Sequence, residues 1–472
     1  MKPQIHTLKR EQGSVLLVTL LVTAIMGITL ASYLIMIQTQ NTSVVRSQTW
    51  NSSIAITEAG VEDALQLINK NSGNFQNLTN WPATAGNDNW ALISPKVYYV
   101  RRYLGDDYYD VYVTNANTLN PSVCSQGHAK WYNTFALAGT PTIGALGVTL
   151  PQDSANVNRN VSVLTKIDPI FNVAMAALKQ IDFSGKNVQT DGFDSADPNY
   201  SNNGQYPFGN ASKTKASGDV VTDDVITNSL SVGNAKIKGQ VKTGPKGTVD
   251  IGPNGSVGDV NWVDGGNLGV QTGYSANDMN VTFPDVIMPL TSWLPVLAGN
   301  YSINGSSYKY AFLTDGDYTI SSLSGSIYIG TNAHVRLKIT GSVSLTGSND
   351  QIFIDSSPTT SGSLQIYMTG DSFAIKGQGI VNTSGNAANF TYFGLPTNTS
   401  VTFGGNAAFI GAIYAPSAAF TLGGGGSTPI DFIGASVTKT VKMNGHFNFH
   451  YDENLRRNGM GRGFIPTNWR ES

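Results

Sequence analysis

Asp191, Asp194 and Asp197, spaced every third residue in TDGFDSADPN, are one place where side chains of a single type could act together. Carboxylates gathered in a loop can ligate Ca²⁺ or, beside a basic residue, serve acid–base cleavage of a polysaccharide. The stretch lacks the D-x-D-x-D-G order of a calcium loop, and Asx-turn capping accounts for the same residues. Asp223 with Asp224 and Asp315 with Asp317 are further pairs, the latter read as a turn entering a strand. His446, His450, Asp452 and Glu453 gather in GHFNFHYDENL. On a strand, positions 446, 448, 450 and 452 share one face, so two imidazoles and a carboxylate could converge on a metal. The bland reading places Phe447, Phe449 and Tyr451 in a core and leaves the polar face solvated or covering a neighbour, with no orienting partner visible for a metal. Cys124 near His128 suggests a thiol nucleophile, but NPSVCSQGHAK reads as a loop between strands. The glycines at 423–426 lack the Lys-Ser/Thr ending of a phosphate loop, and neither G-x-S-x-G nor H-E-x-x-H occurs. The expectation is a protein that is not an enzyme and holds no metal or cofactor.

Composition narrows the class further. Charged residues are 13% of the 472, Gly reaches 51, and the formal net charge is −2. Asn, Ser and Thr dominate the polar set, as is common in exported β-rich proteins. No basic field exists to neutralise phosphates, so nucleic acid is excluded as a partner. With one cysteine there is no internal disulfide and no cysteine-based metal site, and stability must come from packing and backbone hydrogen bonds.

The elements that would position these residues begin with an uncharged apolar run, Gly13 to Ile37, GSVLLVTLLVTAIMGITLASYLIMI, preceded by the basic segment MKPQIHTLKREQ. As a helix at about 1.5 Å per residue it spans roughly 36 Å, enough to cross a bilayer, and it is too long for the h-region of a secretory signal. KREQG followed by this run resembles the class III leader of type IV pilins and pseudopilins. The resemblance implies that prepilin peptidase cuts between Gly13 and Ser14 on the cytoplasmic side and methylates the new N-terminus. An uncleaved anchor is the alternative. Loss of residues 1–13, with Lys2, Lys9 and Arg10 against Glu11, would leave a net charge of −4. Major pilins carry a glutamate at the fifth mature position, which here is Val18. Within the family that departure goes with PilX-type minor pilins and with the pseudopilin at the tip, so the resemblance implies a minor or tip subunit. Trp50, Ile54, Val61, Leu65 and Ile68 recur at helical spacing and predict that the helix continues to about residue 69. ITEAGVEDALQLIN also resembles the PilX-like N-terminal module.

Residues 70–95 read as a loop. KVYYVRRYL, a Gly-Asp-Asp turn and YYDVYVT predict a hairpin, with further strands around 131–137 and 158–167. This resembles the small antiparallel sheet of a pilin head. DPIFNVAMAALKQI, residues 168–181, predicts a short helix with Ala174, Ala177, Leu178 and Ile181 on one face. From residue 182 onward come short β-forming bursts ended by turn residues, among them AKIKGQVKTG, SIYIG, HVRLKITG, QIFIDS and LQIYMTG. Such density predicts a parallel β-helix, or solenoid, with a β-sandwich or jelly roll as the other fold available. GAIYAPSAAFTLGGGG, FIGASVTKTVKMNG and HFNFHYDENL resemble a β-helical domain of unknown function that follows PilX-like N-termini in pilus-assembly proteins. The basic end, RRNGMGRGFIPTNWRES, reads as a strap.

The expected fold class is thus α+β, then all-β. Its divisions are a leader (1–13), a transmembrane or assembly helix (14–70), a small head (71–167), a β-helical domain (168–450) and a tail (451–472). The expected function is that of a structural minor pilin or pseudopilin-like component. Implied partners are other pilins or pseudopilins, the assembly machinery, prepilin peptidase and the bacterial inner membrane. The alternative is an anchored adhesin or a glycan-binding or glycan-cleaving β-helix, which adds surface glycans to the partners.

Overall fold

No proline lies between Pro3 and Pro82, so no residue of that kind breaks a helix there. The computed structural model accordingly contains one helix of 60 residues, Gln12–Asn71. The structure describes residues 12–71, 89–131 except 117 and 119, 142–143, 148–149, and 156–471 except 184–187, 226–227, 406–407, 425–428 and 459–460. Along the apolar half of the helix, Thr19, Thr23 and Thr29 donate their hydroxyls to carbonyls three or four residues back. These three hydroxyls are thereby satisfied within the helix itself.

The chain forms two units, one made of Met1–Ile167 with Gly463–Ser472, the other of Asp168–Arg462. In the smaller unit an antiparallel sheet is ordered Ala91–Ser94, Val97–Leu104, Asp107–Thr114, Ser122–Lys130, Asn156–Pro169 and Gly461–Glu471. Strand alternation gives one face Val100, Val111, Val123, Val161 and Val163, all buried with Val61, Ala64, Leu65 and Ile68 of the helix. The predicted hairpin is present, with Tyr98 opposite Val113 and Leu104 opposite Asp107.

Four sequence expectations change in or beside this unit. NPSVCSQGHAK is no loop; its core, Ser122–Lys130, is a strand in the middle of the sheet. Its helix-facing residues are small because the helix approaches closely there. Gly127 donates its N–H to the Thr57 hydroxyl at 3.1 Å, and the Ser125 hydroxyl donates to the Thr57 carbonyl at 2.8 Å. A Cβ on Gly60 would stand 2.3 Å from Ser125 Oγ and 2.7 Å from Val111 Cγ2. Trp50 leaves the predicted stripe: it is 48% exposed, and the Arg159 guanidinium lies 5.0 Å from its ring centre. The terminal tail is a strand beside Asn156–Pro169 rather than a strap. Thr467 donates to the Leu164 carbonyl and Arg159 pairs with Glu471, so the two strands run in opposite directions. Asn69 fixes that strand like a backbone rung, accepting from Phe464 N–H at 2.6 Å and donating to its carbonyl at 3.4 Å. The fourth change concerns 168–181, which is not helical: Met175–Ala177 and Ile181–Asp182 are strands. Each is paired on both sides, and that pairing outweighs the helical propensity of the alanines. Beyond Trp131, the strand expected over 131–137 lies outside the described residues.

In the larger unit the strands of the main sheet pair in parallel, and Tyr301–Ile303 with Ser306–Tyr308 forms a separate antiparallel pair. One ladder can be followed through its partners: Ala276, Lys242, Val221, Ala176, Val437, Tyr414, Phe393, Tyr367, Lys338, Thr319, Pro295. The residues do not follow chain order. The chain enters in the middle at Ala176, builds outward to Ala276, crosses to Pro295 at the far end and returns to Val437, beside Ala176. In-register parallel pairing stacks like on like in the core: Phe409 on Phe432 at 4.1 Å, and Phe432 on Phe449 at 4.3 Å.

The crossing is made by residues 277–293, which lie along the outer side of that ladder. Met279 N–H donates to the Thr243 carbonyl, the Tyr414 hydroxyl to the Pro284 carbonyl, and the Thr291 hydroxyl to Asp317. The Trp293 ring meets Tyr367 edge-on at 5.9 Å. Ten steps between neighbouring strands, at roughly 4.8 Å each, make about 48 Å. The chain from 277 to 295 reaches at most about 65 Å when extended, so this strap has little slack.

Gly60→Val places a branched side chain in the closest helix–sheet contact. It is expected to destabilise the small unit by about 1–3 kcal/mol. Differential scanning calorimetry should show that unit's transition lowered and the large unit's transition unmoved.

Candidate functional site

Two places carry the residues singled out above, and the first is the helix. Its half from Val15 to Met36 presents Leu16, Leu20, Ile28 and Ile35 with 60% or more of each side exposed. It is one stretch long and apolar enough to cross a membrane. Residues 1–11 and the surroundings of Gly13 and Ser14 lie outside what the structure describes. Val18 is exposed on the apolar surface.

The second is where the first and last strands of the large unit meet. Gln189–Phe193 pairs in parallel with Phe447–Asp452, which sets Asp191 opposite His450, while Ile430–Gly445 brings Asp431 opposite Asn448. His450 is buried, with Nδ1 2.6 Å from Asp191 Oδ1 and Nε2 3.2 Å from Asp431 Oδ1. With a carboxylate facing each ring nitrogen, the imidazolium, which donates from both, is the form of the ring that satisfies both contacts. Burial works against that charge, but Asp191 and then Asp431 outweigh it and hold the His450 pKa above its ordinary 6.5. For Asp431 the opposing effects are burial, which raises its pKa, and the hydrogen bonds from His450 and Asn448, which bring it below 3.8. The Tyr206 hydroxyl donates to Asp191 Oδ2 at 2.8 Å and its ring stacks on the imidazole at 3.6 Å. Burial first, then the Asp191 charge, pushes that phenol far above its ordinary range.

The aspartate triplet does not converge. Asp191 serves His450 and Tyr206. Asp194 pairs with Arg457 and accepts from Ala196 N–H, and Asp197 caps its own turn through Asn199. The polar face of GHFNFHYDENL is likewise taken up by the join. Asp452 accepts from Ser195 N–H at 3.0 Å, and Glu453 pairs with Lys215. Phe447, Phe449 and Tyr451 point to the core as expected. Among the other pairs, Asp317 is bidentate to Arg336, Asp315 accepts from His334 N–H, and Asp223 accepts from Val281 N–H. Cys124 lies opposite Tyr112 on the exposed face of the small sheet, and the partial desolvation it meets there moves its thiol pKa up, away from the reactive thiolate. Asp191 and Asp431 stand 259 and 19 residues from His450. The strand period could give the face of His450 but not these partners.

Against known proteins, a family model described as a domain of unknown function (DUF7305) matches residues 299–458, inside the large unit. No curated protein matches. Among solved structures, the crystal structure of the competence-associated pilin ComZ from Thermus thermophilus aligns at 10% identity, over 90% of this chain and 97% of that one, with a TM-score of 0.17. At that score the likeness bears no weight for fold or function.

The His450 contribution to stability is fully present below pH 6.5 and is lost as pH rises through its raised folded-state pKa. That of Asp431 is present above 3.8 and is lost as pH falls through its lowered one. Stability of the large unit is therefore expected to be greatest between those limits. His450→Gln leaves two facing carboxylates without their cation, at an expected cost of about 3–5 kcal/mol near pH 6, and abolishes the decline on the alkaline side. Urea unfolding across pH in both proteins measures this.

Proposed function

We propose that the chain is a minor subunit of a type IV pilus or secretion pseudopilus, PilX-like in its N-terminal module, with no catalytic role. The observation that supports this best is the helix Gln12–Asn71, one half exposed and apolar, the other buried under an antiparallel sheet. An apolar rod of that kind is stable in a bilayer, and equally stable once packed among like helices, because both remove its surface from water. In this reading prepilin peptidase, at the inner membrane, cuts after Gly13, and Ser14 becomes a methylated N-terminus. Val18 offers no carboxylate to a neighbouring subunit's amino group, which favours a tip or initiating position over the shaft. The parallel ladders of the large unit are read as coils of a β-helix displayed outside the cell. ComZ, a competence-associated pilin, is of the same class but adds no support at its TM-score.

A second reading, an anchored glycan-binding protein, is favoured by one feature. An open groove of about 640 Å³ on the large unit is lined by neutral side chains, among them Ser195, Gln205, Ser357, Thr359, Ser384 and Asn389. Such walls match a ligand rich in hydroxyl and amide groups.

For the first reading, mass spectrometry of the membrane-extracted chain should give an N-terminus at Ser14, methylated, in a host with prepilin peptidase. Gly13→Leu should leave the full precursor and remove the protein from the sheared surface fraction. A signal-peptidase cut elsewhere would count against it. For the second, binding to an array of neutral oligosaccharides should be lost in Thr359→Glu; absence of any binding by the unaltered protein ends that reading.

A further inference from the structure

Beneath the strap, where it passes the strands Met175–Ala177, Val220–Thr222 and Val241–Lys242, lies a second and more enclosed cavity of about 370 Å³. Its walls are mostly apolar: Ile170 and Val173 from the segment entering the unit, and Met279, Val281 and Phe283 from the strap. Three charged side chains share it, Asp219, Lys242 and Arg456. The Arg456 Nε donates to the Asn172 carbonyl at 2.9 Å and the Tyr451 hydroxyl at 3.0 Å, which orients the guanidinium. Lys242 lies near enough to Asp219 for its charge, like that of Arg456, to act on that carboxyl. Nearby Glu453 is already paired with Lys215. Asp219 accepts from Gln240 N–H at 2.8 Å, and burial pushes its carboxyl toward the neutral form. The cavity therefore sets two cations against one reluctant anion in a mostly apolar wall.

We propose that this cavity binds a small apolar monocarboxylate, with its carboxylate on Arg456 and Lys242 and its apolar body between Val173 and the strap residues Met279, Val281 and Phe283. A guanidinium fork matches a carboxylate with two parallel hydrogen bonds, and a low-dielectric wall strengthens the pairing. An apolar cavity with a few convergent polar groups is the usual form of a small-molecule site. An apolar cavity of about 150 Å³ holds one benzene ring, so this one takes roughly a dozen non-hydrogen atoms. The strap closes over such a ligand with three of its own apolar side chains and so couples occupancy to its own seating.

The test uses the full chain in detergent and the probe 4-phenylbutyrate, with 4-phenylbutylamine as its charge-reversed counterpart. Saturation-transfer NMR against protein-free micelles reads both. The acid is expected to bind with a dissociation constant on the order of 1 mM, and the amine at least tenfold more weakly. Lys242→Gln should weaken the acid several-fold and narrow its difference from the amine. Val281→Trp, which fills the cavity from the strap, should remove binding of the acid. No transfer from the acid at ten times that concentration, equal binding of acid and amine, or acid binding unchanged in Lys242→Gln would each overturn the proposal. Should Val281→Trp fail to fold, Lys242→Gln and the acid–amine pair still decide it.

Discussion

Parallel pairing between Gln189–Phe193 and Phe447–Asp452, with Met175–Ala177 set against Ile430–Gly445, is the interaction on which the large unit rests. Every strand in a stack must find a partner above and below, and an unmatched edge exposes a row of polar backbone groups. This chain meets the requirement in an unusual order. It begins in the middle, and the two inner edges it creates are covered only when its last strands arrive. His450, Asp191 and Asp431 sit on that join, as do Asp452 and Glu453, so the charges that look catalytic in the sequence are the ones that fasten it.

The same order explains how the units are connected. The large unit begins and ends on adjacent strands, and the small sheet is left at Asn156–Pro169 and resumed at its neighbour, Gly461–Glu471. What would otherwise be a hairpin connection carries nearly 300 residues. The small unit therefore depends on the far end of the chain, through Phe464, Asn69 and Glu471, for its last strand.

Much of the architecture was legible because it is periodic. The apolar run, the buried face of Val61, Leu65 and Ile68, the 97–114 hairpin and the bursts of β-formers all follow from side-chain spacing. Other parts were hidden because tertiary contacts decide them. Ser122–Lys130 is a strand whose helix-facing side is small and polar to suit the approach of Gly60 and Thr57. The alanines of 174–177 are held extended by neighbours more than forty and more than two hundred residues away. The partners of His450 depend on chain order within the stack, about which local sequence is silent. The helix shows the converse: its exposed half needs no fold to explain it, only a non-aqueous surrounding, and the pilin-like reading draws on that half more than on any pocket.

The strap is also a ruler. Open repeat arrays lengthen by duplicating a unit, because each repeat touches only its neighbours. Here each strand added to the ladder would move its ends apart by roughly 5 Å, and the strap would need one or two further residues to keep its reach. Growth of the stack and growth of the strap are therefore bound together. The number of strands between Ala276 and Pro295 is set by a segment that belongs to none of them.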